Sequence, residues 1–142
     1  MAIAAQQYNV GGILLARPFK VRRLGHFGFN ALKMAEGLNF YNALLGFKIS
    51  DELDFARVPG MPEQVKAFDA RGFFMRHGTD HHSFVLFNKG VMDLRPDRKF
   101  RPEVTINQIT WQVGSLKEVV DAFHYFQERD VPIQRVGRDM PG

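Results

Sequence analysis

Leu24-Gly25-His26-Phe27-Gly28-Phe29-Asn30 alternates apolar and small or polar side chains, the signature of a half-buried strand. On such a strand Phe27 and Phe29 point to one face and His26, Gly28 and Asn30 to the other. The pattern returns at Ile106-Asn107-Gln108-Ile109-Thr110-Trp111-Gln112-Val113. Aligning the two strands sets His26 against Gln108, Gly28 against Thr110 and Asn30 against Gln112, while Phe27 and Phe29 fall opposite Ile109 and Trp111. In each copy one face is greasy enough to sit under a helix and the other is polar. A polar sheet face that occurs twice in one small domain predicts a lined concavity.

A helical pattern succeeds each strand. Met34, Leu38, Tyr41 and Leu45 recur at helical spacing and stop at Gly46. After the second strand, Ser115-Leu116-Lys117-Glu118 reads as a capping box, with Glu118 reaching back to the first turn. Leu116, Val119, Val120 and Phe123 form the stripe of that helix. The first unit continues with a strand over Phe47 to Phe55, a Pro- and Gly-bearing loop over Ala56 to Lys66, and strands over Gly72 to Arg76 and His82 to Phe87, the last two joined tightly at His77 to Asp80. A further short strand is expected near Ile133. The chain is thereby divided into an arm over residues 1–21, a first repeat over about 22–88, a polar and basic linker over about 89–103, and a second repeat from about 104 to 142. Repeat logic expects two more strands in the second unit than the sequence supplies, which reads as a truncated or incompletely represented chain.

Composition limits the function classes. The 142 residues suffice for one domain with a core, and 45% hydrophobic with 24% charged residues is the balance of a globular protein. No apolar run approaches the roughly 18 residues of a membrane span, and no basic segment precedes Ile13–Ala16 as a signal peptide needs. The absence of Cys removes disulfides, thiolate nucleophiles and cysteine metal sites, which fits a cytoplasmic protein. A net charge of +4 gathers at Arg17, Lys20, Arg22 and Arg23 and again at Arg95, Arg98, Lys99 and Arg101. Aromatic side chains do not alternate with these cations as single-strand binding requires, so nucleic acid is not the expected partner; steering of an anionic small substrate fits better. Neither a phosphate-binding glycine loop nor a nucleophile elbow is present.

Three segments together carry a family resemblance: Leu24-Gly25-His26, Phe40-Tyr41-Asn42-Ala43-Leu44-Leu45-Gly46-Phe47 and Asp80-His81-His82-Ser83-Phe84. From about Arg22 onward the chain resembles the vicinal oxygen chelate superfamily of glyoxalases, bleomycin-resistance proteins and dioxygenases. Within it, the His-His pair resembles the catalytic module of type I extradiol ring-cleavage dioxygenases. The resemblance implies an α+β fold of paired βαβββ modules, whose curled mixed sheets enclose a metal cavity. It implies Fe(II), or Mn(II) or another divalent metal, as cofactor, with a catecholic small-molecule substrate, molecular oxygen and a homo-oligomeric assembly. His26 maps onto the first metal ligand and His82 onto the histidine that acts as acid and base. Gln108 stands where the dioxygenases place their second ligand histidine, and glyoxalases of the superfamily use Gln there. Asp139 stands where a substrate-contacting histidine is usual, and the carboxylate ligand of the family falls beyond Gly142. Phe84, with Trp111, would shape an aromatic pocket. Beside the dioxygenase reading stand a glyoxalase-like lyase or isomerase and a metal-free small-molecule-binding protein. From the residues alone a histidine on a strand such as His26 is more often structural or at the surface than a ligand, His82 reads also as a polar strand entry, and Gln108 more often as a cavity hydrogen-bonder than as a ligand. His81 and His124 read as surface residues and His77 as part of a turn.

Overall fold

The computed structural model describes residues 6–95, 105–133 and 135–138. The fold is mixed α+β. By backbone contacts the chain forms two compact units, Gly25–Thr110 and a second one that joins the segment ending at Leu24 to the segment starting at Trp111.

An N-terminal hairpin of β1 (Tyr8–Val10) and β2 (Ile13–Leu15) comes first. Strand β3 (Arg23–Ala31) leads into α1 (Met34–Leu38), then β4 (Lys48–Asp54), β5 (Arg71–Arg76) and β6 (Phe84–Asn88). A short helix α2 (Lys89–Asp93) precedes β7 (Ile106–Gln112). The strands after the hairpin form one sheet in the order β4-β5-β6-β3-β7. β3 runs parallel to β6, while β4–β5 and β5–β6 are antiparallel, so β3 to β6 make a βαβββ unit. β7 lies beside β3; the Asn30 N–H donates to the Thr105 carbonyl and the Arg22 N–H to the Gln112 carbonyl, so numbers rise on one strand as they fall on the other.

The expected division of β3 into two faces is present. Phe27 and Phe29 pack with Ala31, Met34, Leu38 and Tyr41 over Phe73, Met75, Phe84 and Leu86. The opposite face carries a second core of Phe55, Val65, Val85, Phe87, Val91 and Met92. Leu45 does not follow the stripe. From Asn39 to Leu44 the helix widens to a π turn, with the Leu45 N–H bonded to the Phe40 carbonyl. The extra residue rotates Leu45 away from the sheet, leaving it 52% exposed. Gly46, at φ 73°, then lets the chain leave in the left-handed region.

Three polar-looking stretches are structured. The loop over Ala56–Lys66 contains parts of two 3₁₀ turns, Phe55–Arg57 and Glu63–Ala67, that bury Phe55 and Val65. The stretch that reads as a linker begins with α2, which buries Val91, Met92 and the stem of Lys89, whose amine pairs with Asp93 at 2.5 Å. The arm holds the β1–β2 hairpin and buries Val10. Gly11 and Gly12 turn it at φ 61° and 86°, the positive pair that a two-residue hairpin requires.

In the second unit, α3 (Leu116–Gln127) starts at Ser115, whose hydroxyl accepts from the Glu118 N–H. The other half of the capping box is replaced. The Glu118 carboxylate accepts from the Lys20 N–H at 2.9 Å and from Arg22 at 3.3 Å. These donors, Lys20 first, with the Gly114 N–H and the Arg22 charge, hold its carboxyl below the usual range. Tyr125 and Phe126 pack against Phe19, and Tyr125 also against Tyr8. Leu116, Val119 and Val120 of the predicted stripe are exposed. Residues 131–133 and 135–138 form no strand, so the strand expected near Ile133 is absent from the described residues. No helix among the described residues is long and apolar enough to cross a membrane.

Candidate functional site

The polar face of β3 continues onto the polar face of β7, one strand spacing away. His26 and Gln108, matched by the repeat alignment, are in direct contact: the Gln108 side-chain amide donates to His26 Nε2. Thr110 Oγ1 lies 3.1 Å from the same nitrogen. With the Gln108 amide nitrogen as donor, His26 Nε2 is the acceptor, which puts the ring proton on Nδ1. Gly28 makes the approach possible, since a Cβ there would lie 2.8 Å from Gln108 Cγ.

His82 completes the cluster. Sequence alternation would put it on the same side as Phe84 and Leu86, but β6 begins only at Phe84, so strand parity does not govern residue 82. Its ring lies instead 4.7 Å from that of His26 and edge-on to Phe74 at 5.1 Å. On its far side His82 Nδ1 is 3.0 Å from Nδ1 of the exposed His81. Burial pushes the His26 imidazole below its ordinary value, and the neighbouring His82 adds to this. Burial likewise lowers His82, and His81 reinforces it, while Asp51 and Asp80 oppose the shift. Two half-buried imidazoles in contact cannot both carry charge cheaply, so both favour the neutral form that offers a lone pair.

The other predicted residues lie elsewhere. Phe84 is a core residue, packed on Tyr41 and Phe47 beneath α1, and does not face His26. The aromatic side chain beside the histidines is Phe74, which sequence reasoning misses; residues 71–76 show no apolar–polar alternation, and only the strand's period of two, once its register is known, sets Phe74 on that face. Thr110 enters the sequence reading only as the repeat partner of Gly28. Asp139 lies outside the described residues. Trp111 is 59% exposed and lines an apolar groove of about 460 Å³ with Phe19, Val21, Val119 and Phe126. A second cavity of about 370 Å³ lies against Phe55, Val58 and Met61. Neither is lined by His26, His82 or Gln108. No group of three His, Asp or Glu side chains placed to hold a metal ion occurs among the described residues. The donors that do converge are two imidazoles, each shifted toward its neutral form, and one amide.

Comparison with known proteins agrees with this architecture. Residues 23–142 match the family model described as the glyoxalase/bleomycin resistance protein/dioxygenase superfamily. A solved structure of an extradiol ring-cleaving dioxygenase from B. fuscum superposes on 79% of this chain with a TM-score of 0.52 and 19% sequence identity. The likeness covers 24% of that protein's chain, and at such identity it shows the fold alone. No curated protein matches.

Proposed function

The chain belongs to the glyoxalase/bleomycin resistance protein/dioxygenase superfamily, and from that premise we propose that it is a metal-dependent protein of the extradiol ring-cleaving kind, acting on a catecholic aromatic compound with molecular oxygen. One observation carries the reading: His26, Gln108 and His82 come from three separated parts of the chain and meet on one sheet face.

Two donors on this face are of the kind that hold a divalent cation, although no group of three His, Asp or Glu ligands completes a site among the described residues. His26 is neutral with Nε2 directed at Gln108, and turning the Gln108 amide end for end brings its carbonyl oxygen to the same place. His26 and Gln108 would hold the ion, Fe(II) foremost or Mn(II), with Thr110 Oγ1 lying beside the same His26 nitrogen. When bound, the cation supplies Lewis acidity to the two vicinal oxygens and redox chemistry toward oxygen. The protein's own part is proton handling. His82 stands beside His26 with Phe74 against its edge, so a ring seated on this face has His82 Nε2 within reach of a hydroxyl proton. Its other nitrogen exchanges with His81 Nδ1, and His81 is open to water. The direction of that hydrogen bond decides whether His82 Nε2 donates or accepts. A cytoplasmic location and a homo-oligomeric state belong to the same proposal.

The neutral amide of Gln108 in the ligand position supports one second reading, a glyoxalase-like lyase, whose harder metal tolerates amide oxygen. Metal loading tests the first step. Protein loaded anaerobically with Fe(II) or Mn(II) and desalted is expected to keep about one ion per chain, and His26→Ala to keep none, by elemental analysis. Oxygen uptake with catechols then separates the dioxygenase from a lyase acting on thiol adducts. Wild-type protein that retains neither metal overturns both enzyme readings in favour of a metal-free binding protein.

A further inference from the structure

The sheet face that carries His26 extends across β6 and β5 to β4. Phe74 on β5, which packs against His82, is paired directly with Asp51 of β4. Alternate residues of a strand share a face, so Arg76, two residues on, faces the same way as Phe74. A bulge between Ile49 and Asp51 keeps the faces matched and sets Lys48 directly opposite Arg76. Two cations thus sit side by side, an arrangement that destabilises a sheet unless something lies between them. Among the described residues neither forms an ion pair, and Arg76 Nε is buried without a hydrogen-bond partner. Asp51, which faces Phe74 across the β4–β5 pair, accepts from the Glu52 N–H at 2.8 Å. Ser83, next to His82, also has a buried and unpartnered hydroxyl. Its N–H bonds to the Met75 carbonyl and its own carbonyl accepts from the Phe27 N–H, which places it between Arg76 and the His26 strand.

We propose that Arg76, assisted by Lys48, anchors an anionic substituent of the substrate, so that the site takes an aromatic carboxylate in preference to a neutral ring. The inference rests on the reading of the His26–His82 face as the substrate site. An arginine fork matches a carboxylate with two parallel hydrogen bonds, which would engage the buried Nε and relieve the repulsion from Lys48. β5 and β3 are two strand spacings apart, roughly 10 Å. That is the reach of an aromatic ring with a short acid side chain, its ring over Phe74 and His82 and its acid at Arg76. Ser83 stands between and can bond to either end.

Calorimetric titration of the metal-loaded protein with three compounds tests this: a catechol bearing an acetate side chain, a methyl catechol, and phenylacetate. The acidic catechol is expected to bind about 10-fold more tightly than the methyl catechol at low salt. That preference should shrink with added salt and collapse to about unity in Arg76→Met. The melting temperature of unliganded Arg76→Met should equal or exceed that of wild type, because the change removes an unsatisfied donor and a like-charge pair. Equal binding of both catechols overturns the anchor and leaves the catechol site standing. A lowered melting temperature of Arg76→Met makes Arg76 a structural residue and also overturns the anchor. Phenylacetate that binds as well as the acidic catechol, and as dependently on Arg76, upholds the anchor while removing the catechol reading. Failure of all three compounds to bind removes both.

Discussion

Gly28→Ala is the most direct probe of the candidate site. Gly28 is not among the glycines with positive φ, so alanine fits its backbone and only space forbids it. The new Cβ would stand 2.8 Å from Gln108 Cγ and 3.3 Å from Asn107 Cβ, both closer than ordinary packing allows. Gln108 must swing away, and its contact with His26 is lost. Overpacking of this kind costs about 1–3 kcal/mol. The lost hydrogen bond adds about 0.5–1.5 kcal/mol. Against these stands a gain of about 0.5–1 kcal/mol from replacing glycine within a strand. The net expectation is a loss of about 1–3 kcal/mol, which lowers the urea midpoint by roughly 1 M at the usual slope for a small domain. A double-mutant cycle sharpens the reading. Gln108→Ala removes the Cγ that the new methyl meets, so Gly28→Ala should cost little in that background, with a coupling of about 1 kcal/mol or more. Additive losses, or a Gly28→Ala protein more stable than wild type, would refute the placement of Gln108 against β3 and with it the site.

Two further outcomes are expected. The imidazoles of His26 and His82 are lowered from 6.5, so below that value the unfolded chain takes up protons that the folded one does not. Stability should therefore rise with pH through the window beneath 6.5 and level off above it; melting curves would show this, and His82→Asn should flatten the slope. Gly72→Ala should destabilise by about 1–3 kcal/mol in chemical denaturation, since its Cβ would run into the Phe87 ring while Phe55 closes the other side at 3.2 Å; unchanged stability would contradict that packing.

The parts of the fold that are legible in the sequence are those with one buried face. β3 alternates because Phe27 and Phe29 sit under α1 while His26 and Gly28 look the other way, so period two survives in the residue order. β6 is buried on both faces from Phe84 to Asn88 and has no alternation to read, so residue order puts its start at His82, two residues early. The π turn is invisible for a different reason: an inserted residue changes no composition, only the rotation of the residues after it, and helical spacing therefore puts Leu45 on the wrong side. α2 is hidden by its own polarity. Lys89 looks like linker, yet its stem is buried and its charge is met four residues on by Asp93.

The site shows a different limit. β3 and β7 run antiparallel, so equivalent positions of the two repeats near the seam become cross-strand neighbours, and an alignment of the repeats is already a contact prediction for His26 and Gln108. Repeat logic has no such hold on His82, which depends on where a strand begins, nor on Arg76, whose face is fixed only by the register of β4 with β5. The two kinds of residue also divide the chemistry. Seam residues come in pairs from both repeats and suit a shared task, such as gripping one ion from two sides. β6 lies one strand and β5 two strands from β3 on the side away from β7. On that side of the face an acid group at Arg76 would fix which edge of the aromatic ring meets His26 and which proton meets His82.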